Sequence, residues 1–346
     1  MNVPQSIPSR ELGVSGVQLS LLGFGAAPIG NLYQPVADDI AINAVQRALE
    51  LGIRYFDTAP HYGFGLSESR LGSVLGQLDA ALKPVLSSKV GRLLVPTDSA
   101  AVVRHGFANV PALEPIFDYS YDGVMRSFEA STRRLQTAHI DILFAHDLGE
   151  VTHGDTHQSY FREFMEGGYR ALHELRAAGH IDAIGVGVNE WNVCAQALEY
   201  GEFDCFLLAG RYTLLEQGAL DTFLPLCAQR QVSIILGGPF NSGILASGVS
   251  GTGPFYYNYE PAPEEIIARV RRIENVCNEF SIPLAAAALQ FPAAHPQICS
   301  VVAGLSTSEQ VERAVSWMSL EIPEAFWQRL REQQLIHLDA PVPVCA

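Results

Sequence analysis

Four side chains that can hold or move a proton, Asp57, Tyr62, Lys89 and His146, fall at or just beyond the ends of short apolar runs. Tyr55-Phe56 leads into Asp57, residues 84–90 reach Lys89 near their end, and residues 140–146 close on His146. Tyr62 lies in the turn after Asp57, where Gly63-Phe64-Gly65 makes a loop. The pattern then predicts a helix over 69–75, with Ser67 as its N-cap and Glu68 in its first turn. A tyrosine hydroxyl, with an ordinary pKa near ~10, is a poor base at neutral pH. A lysine ammonium within hydrogen-bond reach favours the phenolate, and a carboxylate on the far side keeps that ammonium charged and oriented. An imidazole nearby can orient a substrate oxygen or share its proton. Such a set suits proton movement at a carbonyl or carbinol oxygen. Taken singly, Asp57 and Lys89 could be an ordinary ion pair and Tyr62 a core aromatic. Packing alone does not explain four such groups at successive strand ends.

The elements that must carry these groups alternate in type. A hairpin over 10–20 turns at Val14-Ser15-Gly16-Val17, and the first barrel strand is expected over 21–24. Apolar residues at Ile40, Ala44, Val45, Ala48 and Leu49 keep a helical period over 38–51, and Gly52 stops it. Further helices are predicted over 121–135, 160–178, 193–200, 220–230, 264–280, 284–291 and 308–317. Further strands are predicted over 183–188, 203–208, 232–236 and 298–302. Eight strands alternating with helices predict an α/β fold, a (β/α)8 TIM barrel with an N-terminal β-hairpin, spanning 1–346 as one domain. An open doubly wound sheet is disfavoured, because no G-x-G-x-x-G turn follows the first strand. Three segments exceed ordinary loop length: 91–120, 147–159 and 339–346, the last able to close over the barrel mouth. In such a barrel the active site forms at the C-terminal ends of the strands, where the four groups lie.

The run Asp57-Thr58-Ala59-Pro60-His61-Tyr62-Gly63, followed by Ser67-Glu68, resembles the aldo-keto reductase signature D-T-A-x-x-Y-G…S-E. Leu22-Gly23-Phe24-Gly25 is similar to the family's first-strand L-G-x-G. The resemblance extends over roughly 10–330 and implies hydride transfer with a nicotinamide cofactor, Asp57, Tyr62, Lys89 and His146 being the catalytic four. The stretch His146-Asp147-Leu148-Gly149-Glu150-Val151-Thr152-His153-Gly154-Asp155-Thr156-His157 resembles the H-D…T-H-G…H insert of the aldose 1-dehydrogenase branch, which includes pyridoxal 4-dehydrogenases. That likeness implies oxidation at C1 of an aldose such as L-fucose, L-galactose or D-arabinose to the lactone. Pyridoxal, oxidised through its hemiacetal, and general NADPH-dependent aldehyde reduction are the alternatives. Tyr62, His146, His153 and His157 are then the implied substrate contacts.

The resemblance also implies a cofactor site: Gly25, Asp57, Asn189, Pro239, Phe240, Asn241, Ser242, Gly243, Leu245, Gly304, Ser306 and Gln310. Backbone amides in a loop such as 239–245 can cradle a pyrophosphate, and a helix starting near Ser308 favours anions at its N-terminus. Two positions depart from the family pattern. Its G-V-S-N reads Gly185-Val186-Gly187-Val188, with Asn189 next, and its nicotinamide-stacking aromatic falls at Gly237. NADP-using relatives commonly carry Lys and Arg after the eighth strand, but no Lys or Arg occurs from 301 to 312. A 2′-phosphate there would lack a cationic partner, so NAD is expected over NADP, with Arg313 the residue most able to reverse that.

Bulk properties exclude several classes. A formal net charge of −15, with only 22 Lys and Arg, leaves no basic patch for nucleic acid. No apolar run is long enough to span a membrane, and no signal peptide is visible, so a cytoplasmic enzyme is expected, monomer or homodimer. Six scattered cysteines without C-x-x-C pairs read as reduced thiols. No His pair has a metal-ligand spacing on a helix, so no metal is expected; a non-enzymatic cofactor-binding subunit is disfavoured by the complete catalytic four. Replacing Tyr62 by Phe keeps the ring and removes the hydroxyl. Turnover is expected to fall by ~10²-fold or more with cofactor binding retained; near-normal turnover would overturn the assignment.

Overall fold

The structure, a computed structural model, describes residues 7–99 and 101–344. Eight parallel strands close into a barrel: Leu22–Gly25, Tyr55–Asp57, Val85–Val90, Ile142–His146, Ala183–Val188, Cys205–Ala209, Ser233–Gly237 and Ile298–Gly304. Closure comes from the last strand pairing with the first, Val301 beside Leu22 through Gly304 beside Gly25. The central strands are buried on both faces, which is why they read as continuous apolar runs rather than alternating ones. The barrel interior packs Tyr55, Phe144, Cys205, Leu207, Ile235, Cys299 and Val302. Leu12 and Leu19 of the hairpin, Ser9–Glu11 paired with Gln18–Ser20, complete this core from below. Arg10 locks the hairpin on, donating to the carbonyls of Ile298 at 2.6 Å and His295 at 3.1 Å.

Alternation along the strands then decides what faces the mouth. Asp57 is two residues beyond the interior Tyr55, Lys89 two beyond Ser87, and His146 two beyond Phe144, so all three share the interior face at its upper end. Register holds them side by side: Asp57 pairs with Ser87, Phe144 with Lys89, and His146 with Gly187.

The strand and helix assignments from sequence match closely, and the helices 121–135 and 264–280 and the strand 183–188 match end to end. Several details differ. Ser67 is not a cap. Gly65, at φ 89°, precedes the helix Leu66–Leu75, and Ser67 lies inside it. Its hydroxyl donates to Ala26 O at 2.8 Å and meets Thr58 Oγ1 at 2.8 Å, tying the first two strand ends together. Glu68, fully buried, accepts from Ser88 Oγ at 2.7 Å and Arg134 Nε at 2.6 Å. Residues 91–120 are not an open loop: Arg92–Pro96 pairs antiparallel with Leu113–Phe117, and a short hairpin, Val103–Arg104 with Phe107–Ala108, lies between them. Residues 147–159 fold as helical turns, Glu150–His153 and Gly154–Thr156 leading into His157–Glu163. An amphipathic helix not foreseen, Glu324–Glu332, buries Phe326, Trp327 and Leu330. Residues 339–344 line neither of the cavities at the mouth, and the rest of the expected C-terminal cover, Cys345 and Ala346, lies outside the described residues. The five described cysteines are buried and unpaired.

The helix Leu66–Leu75 must sit close to Tyr121–Leu135 to bring Glu68 to Arg134. Gly72 permits this: a Cβ there would lie 2.3 Å from Arg134 O and 2.8 Å from the Leu135 carbonyl carbon. Helix propensity alone favours Gly72→Ala by about 1 kcal/mol. Overlap with backbone that cannot yield costs about 1–3 kcal/mol, so the overlap outweighs the propensity. Thermal unfolding should show Tm falling in this variant; a rise would mean that the helices are not in contact.

Candidate active site

The lysine ammonium is the best-defined feature. Lys89 Nζ donates to Asp57 Oδ1 at 2.9 Å, Asp57 Oδ2 at 2.8 Å and Thr58 O at 2.8 Å. Both side chains are almost wholly buried, Lys89 at 1% and Asp57 at 3% exposure. Ser87 Oγ donates to Asp57 Oδ1 at 2.7 Å, and the Tyr55 hydroxyl meets Ser87 Oγ at 2.9 Å. The two Asp57 oxygens share one ammonium proton and Thr58 O takes a second. Lys89 makes no hydrogen bond to the Tyr62 oxygen in this arrangement; Nζ lies over the Tyr62 ring face, 4.7 Å from its centroid, with its third N–H uncommitted among the described residues. Burial pushes the Tyr62 phenol well above its ordinary value, the Asp57 and Asp147 carboxylates push the same way, and Arg92 opposes them.

His146 stands edge-on to Tyr62, ring centroids 5.9 Å apart at 86°. Burial and the charges of Arg92 and Lys89 hold its imidazole well below the usual range, so it is neutral. Its Nδ1 is buried without a partner, and its Nε2 lies 3.5 Å from Asp147 Oδ2. Asp147 in turn is ion-paired with Arg92, whose guanidinium stacks 4.7 Å from the Phe117 centroid. The Tyr119 hydroxyl donates to His146 O at 2.5 Å and fixes the strand end. His61 is also neutral: burial, with Arg92 next, lowers it to about 2.

Two cavities meet at Tyr62. The first, about 420 Å³, is lined by Tyr62, Lys89 and His146 together with Tyr33, His61, His105, Phe107, Asp147, Asn189 and Tyr259. The second, about 470 Å³, runs from Asp57 and Tyr62 past the loop after the seventh strand to Gln310 and Arg313. Of the sequence-derived cofactor residues, Gly25, Asp57, Pro239, Phe240, Asn241, Ser242, Gly243, Gly304, Ser306 and Gln310 line the second cavity. Asn189 lines the first instead, and Leu245 is in the core. Asn241, Ser242 and Gly243 follow one another at φ 43°, 61° and 95°; the Asn241 and Gly243 N–H groups donate to Gly238 O and Phe240 O, and the Ser242 N–H takes no acceptor among the described residues. The Gln310 carbonyl accepts from Ser306 N at 2.8 Å and Ser306 Oγ at 3.1 Å, leaving its amide N–H₂ for a ligand. These donors fit a dinucleotide.

The substrate histidines from sequence are elsewhere. His153 packs among Phe117, Tyr119 and Tyr160, its Nε2 3.0 Å from the Tyr119 hydroxyl, and His157 bonds to Gly154 O at 2.8 Å. Neither lines a cavity. The insert folded into helical turns behind Asp147, so its histidines support the wall rather than form it. The polar lining comes instead from His61, His105, Asp147 and Asn189, while Tyr259 arrives on an unforeseen hairpin, Tyr256–Tyr257 with Glu260–Pro261. Its signal was available: the Gly- and Tyr-rich run 251–259 between two helices. Among the described residues, His139, Asp141 and Asp182 are the one group with metal-capable atoms together, at the opposite end of the barrel.

The aldo/keto reductase family model matches residues 21–334. The chain belongs to the aldo/keto reductase family. It is 44% identical over 337 residues to a pyridoxal 4-dehydrogenase of Microbacterium luteolum, covering 94% of this chain and 97% of that protein. It is 36% identical over 326 residues to a D-threo-aldose 1-dehydrogenase of a Pseudomonas species, covering 93% and 96%. Among solved structures, aldo-keto reductase AKR11C1 of Bacillus halodurans in its holo form superposes with a TM-score of 0.74 at 25% identity, covering 97% of this chain and 98% of that one. The protein is thus an oxidoreductase of the nicotinamide-dependent kind, and its relatives place it in sugar and aldehyde oxidoreduction.

Because burial holds Tyr62 protonated, only a small phenolate fraction is present at neutral pH, and it grows with pH below the raised pKa. The kcat/KM for alcohol oxidation should therefore climb about tenfold per pH unit from 7 to 9, without levelling. A plateau by pH 7 would show that Tyr62 is already ionised there.

Proposed function

We propose that the protein oxidises the ring carbinol of a cyclic hemiacetal to the lactone, with NAD as acceptor and Asp57, Tyr62, Lys89 and His146 as the catalytic set. The observation that carries this is the position of Tyr62, shared by both cavities, its hydroxyl without a hydrogen-bond partner among the described residues. The dinucleotide supplies the hydride acceptor. Tyr62 takes the carbinol proton, the neutral His146 donates to the same oxygen, and the Asp57-bound Lys89 keeps positive charge against the Tyr62 ring as its oxygen becomes anionic.

A hemiacetal of the pyridoxal kind suits the first cavity best. Its walls are Tyr33, Phe107, Tyr259, Leu32 and Leu207, which favour a flat aromatic ring, with polar groups gathered near Tyr62. The 44% identical relative, a pyridoxal 4-dehydrogenase, supports the same choice. An aldose oxidised at C1 is the second reading, supported by the D-threo-aldose 1-dehydrogenase relative and by an L-galactose dehydrogenase of Arabidopsis thaliana, 30% identical over 314 residues and covering 90% of this chain and 88% of that protein.

The preference for NAD rests on charge. Arg313 reaches the second cavity, but its guanidinium lies 3.7 Å from Glu309 and over the Trp317 ring at 5.4 Å. Glu309 already shares that charge, and it repels a second anion. Mixing the protein with NAD and, in turn, pyridoxal, L-fucose, L-galactose and D-arabinose, and following NADH absorbance, tests the substrate. Pyridoxal should give the highest kcat/KM, and NAD should exceed NADP by about tenfold or more, a difference of one charge contact. Failure of all four substrates, or a clear NADP preference, would overturn the corresponding part.

A further inference from the structure

Asp147 has entered so far only as the partner of Arg92, a neighbour of His146 and part of the cavity wall, yet it is held with unusual care. It is the first residue beyond the His146 strand, at φ 53°, a left-handed conformation that costs energy for a non-glycine residue and that clusters at functional sites. Its N–H donates to Gly187 O at 2.8 Å, and its carbonyl lies 3.2 Å from the Tyr119 hydroxyl. The side chain is 12% exposed, lines the first cavity, and pairs through Oδ2 with Arg92. Arg92 is itself fixed against Phe117. The other carboxylate oxygen, Oδ1, has no hydrogen-bond partner among the described residues. A structural ion pair alone requires neither the left-handed backbone nor a place in the cavity wall.

Its place relative to the reacting centre is equally specific. Asp147 Oδ2 stands 3.5 Å from His146 Nε2. An oxygen held by His146 Nε2 therefore has a carboxylate beside it. Resting on the hemiacetal reading above, we propose that Asp147, oriented by Arg92, accepts a hydrogen bond from a second substrate hydroxyl, the one nearest the reacting carbinol. Both substrate readings offer such a hydroxyl: in pyridoxal the 3-hydroxyl, on the pyridine ring and one carbon removed from the reacting C4′, and in an aldose the 2-hydroxyl, on the carbon bonded to C1. Asp147 thereby sets specificity, favouring substrates that carry this hydroxyl over simple aldehydes and alcohols, which leave the carboxylate unpaired.

The test compares paired substrates with the wild-type protein and with Asp147→Asn. The pairs are pyridoxal with 3-deoxypyridoxal, and L-fucose with 2-deoxy-L-fucose; the arm that discriminates identifies the source of the hydroxyl. In the wild type, removing the hydroxyl should lower kcat/KM by about 10- to 100-fold, the scale of one hydrogen bond to a charged group. In Asp147→Asn that ratio should collapse toward one. A wild-type ratio near one in the arm that turns over, or an unchanged ratio in the variant, overturns the inference. Removing the carboxylate leaves Arg92 without its buried partner, so the variant's fold is at risk; the wild-type ratio does not depend on it. Calorimetric Kd values for the same pairs with the wild-type protein read the contact even without turnover. Equal Kd values within both pairs overturn the Asp147 contact, whereas unequal Kd values without NADH formation overturn the oxidation reading alone.

Discussion

The site depends on one buried ion pair. Taking Lys89 and Asp57 out of water is expensive, and their attraction offsets that cost only if every remaining donor and acceptor is satisfied. Here the ammonium donates to Asp57 and to Thr58 O, and Asp57 accepts again from Ser87. Such a pair has little freedom to rotate. It fixes the second and third strand ends against each other, and it lays a positive charge along the Tyr62 ring. No hydrogen bond ties the Tyr62 hydroxyl down among the described residues, and it stays available for an outside oxygen.

A second ion pair, Arg92 with Asp147, repeats this logic one strand further round. Together the two pairs place two cations and two anions around His146 and Tyr62 with no net charge, while burial keeps both the imidazole and the phenol neutral. A neutral site of this kind admits an uncharged carbinol, and it responds when a proton leaves. The Ser67 and Glu68 contacts lie behind it, bracing the strand ends from the outside of the barrel.

The placing of Asp57, Lys89 and His146 at the rim was legible because it follows from local rules. Strand alternation puts every second residue on one face, and a polar residue ending an apolar run projects at the rim. The loop contacts were not. His153 and His157 have the right chemistry and sit close in sequence to His146, yet helical folding of residues 150–163 turns them away from the cavity. Tyr259, more than a hundred residues away from His146, reaches the mouth on a hairpin whose course no local pattern sets. Ser67 shows the same effect at short range: it has the composition of a cap, but two glycine turns start the helix earlier and bury its hydroxyl between strands.

By itself the sequence determined the barrel, the order of its strands, the hairpin beneath it and the four groups at its rim, because hydrophobic period and strand alternation act over a few residues. It also set the charge of the segment after the eighth strand, since the absence of cations over 301–312 is a matter of composition. Only the tertiary structure decided how Lys89 is hydrogen-bonded, that burial raises the Tyr62 phenol, and that Asp147 lines the first cavity. Hydrogen-bond geometry, burial and charge at those points come from segments distant in the chain, brought within a few ångströms by closure of the barrel.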